Sequence, residues 1–487
     1  MNDWTLMVYI SADDILANFA VESLKQMKRA AGKGVVVVAQ FDSNQGDSVA
    51  KYAFSDSNKS ESSIDSNLIA IQPGPVDMTD PATLADFINT TAAKYPAKHY
   101  GLVLWGHGPE LLFDDNVPTS TPPSSRRYFT PAKLRQALEY TTLVKKQPGK
   151  ARLDIVAIDA CCMASVESVG ALQGCAGYLI ASQDEVPDAS FPYAQVLTEL
   201  KRLGKKGSVR DISELVPNAY QEAFQDYIAT PANGLRGITL STLNLDAAGT
   251  ITTPLKQLAS ALLQASSDVN LGKKVLDARR ASHDFEFGLF VDLFDFCEQL
   301  DRTGHGNNDF YIACKNMREA IDGKNSGCII ENQASGISSV RCHGISVYFP
   351  YQTADPVEDA VLLRTTGTKN GTDHPIKDRI QRIAELEEDY SVLQTSGQAD
   401  WLRFIKLGWS LILTKEVPEQ LDVHYSAQQC ARNLLPAADG AIMAALQPKK
   451  SGPQPGPQKL GPRPANGGPK GLIVSREHRY PAEQQTH

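Results

Sequence analysis

The sequence lacks the features that would place it in a membrane or on a nucleic acid. It contains no apolar run of about 18 residues or more, the length that a membrane-spanning helix needs. Its net charge of −8 comes without any run of Lys and Arg, so neither nucleic acid nor a membrane surface is a predicted partner. The opening MNDWTLMVYISADD has no basic segment and no apolar segment of secretory type, which predicts a cytoplasmic protein.

Cysteine pairs with metal-binding spacing are also missing. None of the eight cysteines forms a CxxC pair, and several lie within apolar runs such as VDLFDFCEQL. In a cytoplasmic protein this pattern indicates buried thiols, so we predict no metal, no cofactor and no disulfide framework. The adjacent pair Cys161 and Cys162 is the exception, and it is considered below.

The first half of the chain alternates between apolar strand-like runs and helical patterns. Continuous apolar runs are typical of strands that are covered on both faces, and alternation with helices predicts a parallel sheet. Strands are predicted at 5–11, 35–42, 100–106, 153–159 and 177–183, helices at 15–31, 81–95, 130–146 and 163–173, and a hairpin at 49–54 and 67–72. The predicted fold class is therefore α/β, a three-layer α/β/α sandwich with a mostly parallel sheet.

The chain is long enough for more than one domain. We predict a first α/β domain at 1–204, to which the residues considered next belong, and a second α/β portion packed on it at 205–446; one arrangement is that both share the same sheet. This second portion contains predicted strands at 237–245 and 342–350 and a helix at 246–268. Residues 447–487 are rich in Pro, Gly and Gln, which predicts a disordered C-terminal tail.

Two predicted strands end in residues that can do chemistry. YGLVLWG runs into His107 and Gly108, and LDIVAID runs into Cys161 and then a predicted helix. Because the carboxyl ends of neighbouring parallel strands meet at one edge of a sheet, the two side chains are expected to face one another. A thiol at a helix N-terminus beside an imidazole has a lowered pKa, and the Gly108 N–H can approach a developing oxyanion. The pattern predicts a nucleophile, Cys161, with His107 as acid–base partner.

These motifs resemble those of the clostripain-like cysteine peptidases, which share a fold group with caspases, gingipains, legumain and separase. The resemblance rests on WGHG and DACCM, with support from MVYISADDIL, LIASQDEVPDASFPY, VDLFDF and GISVYFP, and it covers roughly residues 4–410. In caspases the histidine lies about 50 residues before the cysteine. Here the separation is 54 residues. The resemblance implies a caspase-like fold and a cysteine endopeptidase whose partner is a peptide or protein substrate.

The resemblance also assigns roles to individual positions. It implies that the backbone N–H groups of Gly108 and Cys161 form the oxyanion site. It implies that Asp159 lies at the floor of a pocket for the residue before the cleaved bond (P1), so that cleavage follows Arg or Lys. A carboxylate there is a fixed, charge-assisted partner for a guanidinium. Asp184 and Glu185 follow the next strand and are further candidates for the same pocket; a solvated turn is the alternative.

Self-cleavage is a further expectation from the resemblance, because many relatives are activated by cutting themselves between the two catalytic motifs. The intervening segment 109–152 is 44 residues long and carries Arg126 and Arg127 beside a Ser/Pro cluster. We predict cleavage after one of these two arginines. KKQPGKAR at 145–152 is a second basic candidate.

Each assignment has a plainer alternative. Cys161 could be a buried thiol, Cys162 could be the nucleophile, and Asp159 could cap a helix. At the level of function, the chain could be a catalytically silent peptide-binding protein, or could bind a metal through His107, Cys161 and Cys162. Two other His-Gly pairs, at 305–306 and 343–344, do not end a predicted strand, which argues against a catalytic role for either.

Overall fold

The structure is a computed structural model. In the part of the chain that it describes, the strands form two sheets. The described residues are 1–12, 16–43, 48–55, 63–74, 76–108, 129–144, 152–203, 207–229, 237–285, 290–304, 309–322, 327–336, 338–349, 396–409 and 412. The strands are β1 (Asn2–Ser11), β2 (Val35–Asp42), β3 (Ser48–Phe54), β4 (Leu68–Pro73), β5 (Ala97–Trp105), β6 (Leu153–Asp159), β7 (Ala176–Ala181), β8 (Ile238–Asn244), β9 (Asp284–Phe285), β10 (Phe290–Asp292), β11 (Ile329–Ser335) and β12 (Ser346–Tyr348).

The large sheet has the order β11-β8-β7-β6-β5-β1-β2-β3-β4. Its five central strands, from β7 to β2, are parallel, and the two outer strands on each side join in antiparallel pairs. After β2 and the hairpin β3–β4 the chain returns to the other side of β1 as β5. The carboxyl ends of β1 and β5 therefore flank a switch point of the topology, where open α/β sheets bind their ligands.

The helices cover both faces of this sheet. They are α1 (Ala17–Ala30), α2 (Pro81–Lys94), α3 (Pro131–Glu139), α4 (Val166–Leu172), α5 (Tyr193–Leu203), α6 (Val209–Ala223), α7 (Gln225–Ala229), α8 (Gly249–Ala265), α9 (Val269–Ala281), α10 (Leu293–Arg302), α11 (Asp309–Asp322) and α12 (Ser396–Arg403), which continues as a π-helical segment (Phe404–Trp409). One apolar core contains side chains of α1, α5 and α6, and the other contains those of α2, α3, α4 and α8.

Alternation along the strands produces these two cores. In β1, Met7 and Tyr9 belong to one core, whereas Val8 and Ile10 belong to the other. Helix starts are set locally: Asp80 accepts a hydrogen bond from Ala82 N at 3.0 Å, and Pro81 fits the first turn of α2. The predicted three-layer α/β/α fold with a mostly parallel sheet is confirmed, including the antiparallel hairpin after β2.

Three predicted elements are shorter than expected. The helix predicted at 130–146 is α3, which ends at Glu139. The helix predicted at 163–173 begins only at Val166, because the segment after β7 holds the preceding turn. The strand predicted at 342–350 is limited to Ser346–Tyr348, because Gly344 has a φ of +95°, which extended strands do not adopt. β12 pairs with β10, which also pairs with β9, and the three strands form a small antiparallel sheet.

The portion predicted for 205–446 shares the large sheet, since it contributes β8 and β11. The domain boundary at 204/205 stays a prediction. The C-terminal tail at 447–487 lies outside the described residues, as do Arg126 and Arg127. Among the helices that the structure describes, none combines the length and apolar character needed to cross a membrane.

Candidate active site

A small cavity lies beyond the carboxyl ends of four neighbouring parallel strands. Each strand or the loop after it supplies part of the wall: β1 leads to Leu16, β5 to His107, β6 to Cys161 and β7 to Val186. The full lining is Leu16, Trp105, Gly106, His107, Asp159, Ala160, Cys161, Val186, Pro187, Asp188 and Ser190. This is the edge of the sheet at which the sequence predicted His107 and Cys161 to lie.

The structure brings His107 and Cys161 to the same cavity. β5 and β6 are paired so that Trp105 is opposite Asp159, and the two candidate residues each follow two positions later. Gly106 N also donates a hydrogen bond to Asp159 O at 3.3 Å, which extends the pairing past the strand ends. The His107 side chain is exposed and Cys161 is half-buried. Both are accessible to a bound peptide.

The turn after β6 separates the two adjacent cysteines. Cys162 has a φ of +58°, in the left-handed region that non-glycine residues rarely occupy, and its side chain is buried in the apolar core. Cys161 instead lines the cavity. The two adjacent side chains therefore lie on different sides of the turn, one in the core and one in the cavity.

The expectation that Cys161 lies at a helix N-terminus is wrong. Helix α4 begins at Val166, five residues later, with Ser165 as its N-cap accepting from Ser168 N at 3.2 Å. The intervening turn is held by the segment after β7: Cys162 N donates to Asp184 O at 3.2 Å, and Ala164 N donates to Ser182 O at 2.7 Å. These bonds to a neighbouring segment take the place of helical ones.

A backbone amide contacts the Cys161 sulfur where a helix terminus was expected. Val186 N–H donates to Cys161 Sγ at 3.3 Å. A hydrogen bond to the charged form of an acid favours that form, so this contact favours the thiolate. The local structure thus offers a different source of thiolate stabilisation from the one that the sequence suggested.

Gly108 lies against the Cys161 peptide. A Cβ at position 108 would be 2.2 Å from Cys161 O and 2.8 Å from Cys161 N, distances that no side chain tolerates. The glycine is therefore required by close approach of two backbone segments. This proximity brings together the two residues whose N–H groups are the predicted oxyanion donors; that role stays a prediction.

Asp159 ends β6 with a buried side chain, 4% exposed. Its Oδ2 accepts hydrogen bonds from Ser190 Oγ, from Tyr193 OH at 2.5 Å and from Phe191 N at 3.2 Å. Its Oδ1 is buried without a hydrogen-bond partner among the described residues. Since Ser165 caps α4, the alternative that Asp159 is a helix cap is wrong.

The surroundings of Asp159 shift its proton affinity. Burial raises the pKa of this carboxyl to about 6, although the hydrogen bonds from Ser190, Tyr193 and Phe191 favour the ionised form. The group is therefore largely ionised at neutral pH, while one of its oxygens lacks a partner. A carboxylate in this state can accept hydrogen bonds from a cationic ligand.

The acidic residues after β7 divide into two groups. The described lining of the cavity includes Asp188 but neither Asp184 nor Glu185. Glu185 is exposed, and Asp184 Oδ1 accepts a hydrogen bond from Glu185 N at 2.8 Å. The contact of Asp184 and Glu185 with substrate stays a prediction. Asp188, which was not predicted as a site residue, lines the cavity.

A profile of the clostripain family matches residues 8–407, which is most of the chain. The chain belongs to the clostripain family. The clostripain family is a family of cysteine proteases, so this match confirms the resemblance indicated by the two strand-end motifs. A search among curated proteins found no match.

Solved structures of other clostripain-family proteins show the same fold. One is a secreted C11 cysteine protease from Bacteroides thetaiotaomicron in complex with an irreversible peptide inhibitor, with TM-score 0.52, 18% identity, and coverage of 81% of this chain and 99% of that one. Another is an inactive zymogen C11 protease from Parabacteroides distasonis, with TM-score 0.52, 19% identity, and coverage of 75% and 96%.

Metal coordination finds no support in the geometry of this clostripain-family protein. No group of three His, Cys, Asp or Glu side chains in the described ranges could hold a metal ion. Of the three ligands considered from the sequence, Cys162 is directed into the apolar core while His107 and Cys161 line the cavity. The three side chains therefore do not converge on one point.

Proposed function

We propose that this protein is a cysteine endopeptidase that cleaves peptide bonds after arginine or lysine, with Cys161 as nucleophile and His107 as acid–base partner. The observation that carries the proposal is one cavity at the sheet edge lined by the Cys161 thiol, the His107 imidazole and the buried Asp159 carboxylate. The first two supply acyl-transfer chemistry, and the third supplies a partner for a cationic side chain.

The reaction would proceed through a covalent acyl-enzyme. The Cys161 thiolate attacks the scissile carbonyl carbon, and the carbonyl oxygen becomes an oxyanion that accepts hydrogen bonds from the Gly108 and Cys161 N–H groups. His107 donates a proton to the leaving amine as the C–N bond breaks. Water then attacks the thioester, His107 accepts its proton, and the acid product leaves with regeneration of the thiolate. Atoms and charge balance over the cycle.

The basic preference follows from the charge of the cavity. Asp159 and Asp188 are its charged lining residues besides the titratable His107 and Cys161, and the described lining includes neither Lys nor Arg. The Asp159 Oδ1 atom, buried without a hydrogen-bond partner in the described part of the chain, is suited to a guanidinium or ammonium group.

A panel of fluorogenic peptides that differ only at P1 tests this proposal. We expect cleavage after Arg and Lys, little cleavage after neutral or acidic residues, and complete loss in Cys161→Ala and His107→Ala. Activity that survives Cys161→Ala would exclude this nucleophile. Slow alkylation of Cys161 at neutral pH, together with no cleavage of any peptide, would favour the silent peptide-binding alternative.

Self-cleavage after Arg126 or Arg127 also belongs to this proposal. One relative of the same fold is described as an inactive zymogen, and the predicted sites lie between the two catalytic motifs. We expect wild-type protein to give two fragments on a denaturing gel, and both Cys161→Ala and the double change Arg126→Ala/Arg127→Ala to stay intact. An intact, active wild-type chain would contradict self-activation. A cytoplasmic location stays a prediction from the sequence.

A further inference from the structure

An imidazole–carboxylate pair is connected by hydrogen bonds to the segment that follows β7. His343 Nδ1 is 3.0 Å from Asp292 Oδ1, and His343 N donates to Asp292 Oδ2 at 2.6 Å. Asp292 is fully buried, and the His343 ring stacks on Phe294 with ring centroids 4.1 Å apart. Burial lowers the pKa of His343, but the hydrogen bond and charge of Asp292, together with the charge of Asp295 and a backbone hydrogen bond at Arg341, outweigh that effect and raise it overall. The His-Gly pair that had no place in catalysis is thus part of a buried polar cluster.

Gln183 connects this pair to the loop after β7. Its Nε2 donates to Asp292 Oδ2 at 3.0 Å, and its Oε1 accepts from Gly344 N at 2.5 Å. Its backbone N donates to Thr239 Oγ1 at 3.0 Å. Gln183 is fully buried and both ends of its side-chain amide are engaged, so its position is fixed by the small sheet containing β10 and β12.

The residues on either side of Gln183 hold the nucleophile turn. Asp184 O accepts from Cys162 N, and Val186 N–H donates to Cys161 Sγ. On the preceding side, Ser182 O accepts from Ala164 N. A displacement of Gln183 would therefore move the acceptors of the turn and the amide that contacts the sulfur.

The small sheet also contacts the turn directly. Ser346 N and Oγ both donate to Ala164 O, at 2.8 and 3.1 Å. The turn needs such support, because a non-glycine residue with the φ of Cys162 is strained and persists only where its surroundings fix it.

We propose that Asp292, with Gln183 and His343, is a positioning network that fixes the loop 182–186 and thereby the Cys161 thiolate and its Val186 N–H donor. The proposal rests on the assignment of Cys161 as nucleophile and extends it to residues of the second sheet. None of the three residues lines the cavity as described, so they act through the loop and not on the substrate.

Asp292 cannot be replaced by its amide without loss. Its two oxygens accept from Asp295 N, His343 N, His343 Nδ1 and Gln183 Nε2, which makes four contacts to one carboxylate. Asparagine offers one acceptor oxygen and places an NH₂ group against the remaining donors. Asp292→Asn therefore breaks the link to Gln183 or the link to His343 while it keeps the size of the side chain.

Asp295 provides a matched control. It is also fully buried at the start of α10, and it accepts from His283 N at 2.6 Å, Gln299 Nε2 at 3.0 Å and Arg341 Nε at 2.8 Å. Asp295→Asn removes the same charge three residues away. Its side-chain contacts lead to Arg341 and His283 and not to Gln183, so it tests loss of a buried carboxylate without loss of the network.

The experiment compares wild type, Asp292→Asn, Gln183→Met and Asp295→Asn in the full chain, each well below its own Tm. The first readout is the pH dependence of Cys161 alkylation by iodoacetamide, with site occupancy determined by mass mapping; the second is kcat and KM for an arginyl peptide. For Asp292→Asn and Gln183→Met we expect a midpoint at least about 0.5 pH unit higher, because the amide donor to the thiolate is displaced. We expect kcat to fall about 10- to 100-fold with KM within about threefold.

Asp295→Asn is expected to keep the wild-type alkylation midpoint and kcat, whatever its effect on Tm. Equal changes of the alkylation midpoint and kcat in Asp292→Asn and Asp295→Asn would mean that both variants act only through the stability of the fold, and would overturn the proposal. An unchanged alkylation midpoint in Gln183→Met would also overturn it. If Asp292→Asn does not fold, Gln183→Met alone decides, because it keeps the carboxylate. Alkylation needs no peptide cleavage, so an enzyme without peptidase activity would refute the proposed function and still leave the network testable.

Discussion

The pH dependence of P1 selection should report directly on Asp159. With a pKa of about 6 in the free protein, about one-tenth of the molecules carry the ionised carboxylate at pH 5 and about nine-tenths at pH 7. A guanidinium is stabilised by the ionised form, whereas an uncharged P1 side chain gains little from it. Because kcat/KM reports on the free enzyme, its preference for arginine should follow this titration.

The assay uses two peptides that differ only at P1, with arginine in one and its uncharged isostere citrulline in the other. Protonation of Cys161 and His107 affects the cleavage of both peptides equally, so it does not change the ratio of their kcat/KM values. We expect the ratio to rise about tenfold from pH 5 to pH 8 with a midpoint near pH 6. The sign follows from the raised pKa: protonation at low pH removes the charge that the guanidinium needs.

Replacement of the carboxylate should remove both the preference and its pH dependence. Loss of one partner of a buried charge pair costs about 2–5 kcal/mol, so Asp159→Asn should lower the ratio by roughly 30-fold to several thousandfold. Asp188→Asn is the control, since it removes an exposed carboxylate from the same lining and should change the ratio only a few-fold. A high ratio that stays flat from pH 4.5 to pH 8, or that persists in Asp159→Asn, would refute the reasoning.

Three further predictions concern single residues. Gly108→Ala should lower kcat/KM at least about 100-fold, because its Cβ would be 2.2 Å from Cys161 O. Gly249→Ala is the control and should be neutral, because a Cβ there would have no other atom within 4 Å. A Gly108→Ala enzyme that keeps its activity would argue against the close approach. Cys162→Ala should keep kcat/KM within about threefold in a peptide assay, whereas loss of activity there but not in Cys161→Ala would reverse the two cysteines. Burial raises the pKa of Glu167 from 4.5 to about 7, so the folded state holds this proton more tightly and loses stability as pH rises from about 4.5 to 7. Glu167→Gln should therefore gain up to about 3 kcal/mol relative to wild type between pH 4.5 and pH 8, measured by urea unfolding, and an unchanged difference would contradict this.

The fold was accessible from the sequence because its signals are local. Five apolar runs and the helical patterns between them predicted the parallel core of the sheet, and Pro81 after Asp80 marked a helix start to the residue. The order of the strands and the pairing of β8 and β11 with them depend on contacts between distant segments. Periodicity along the chain carries no information about those contacts.

The site was predictable only in part, for the same reason. The predicted start of α4 was wrong. Hydrogen bonds to the 182–184 segment hold the preceding residues in a turn, and Ser165 caps the helix after it. Asp184 and Glu185 were predicted to reach the cavity, but Val186 and Asp188 line it, since the fold of one loop determines which of these neighbours reach it.

Short windows of sequence were enough to predict the class of fold, the family, and the two strand ends that carry an imidazole and a thiol, because strand periodicity and the residues directly after each strand are local. The environment of these groups depends on tertiary contacts. The raised pKa of Asp159, the amide contact to Cys161 and the link from Asp292 through Gln183 all arise where segments far apart in sequence exclude water and share hydrogen bonds. Desolvation and hydrogen bonding depend on three-dimensional neighbours, and a linear pattern does not specify them.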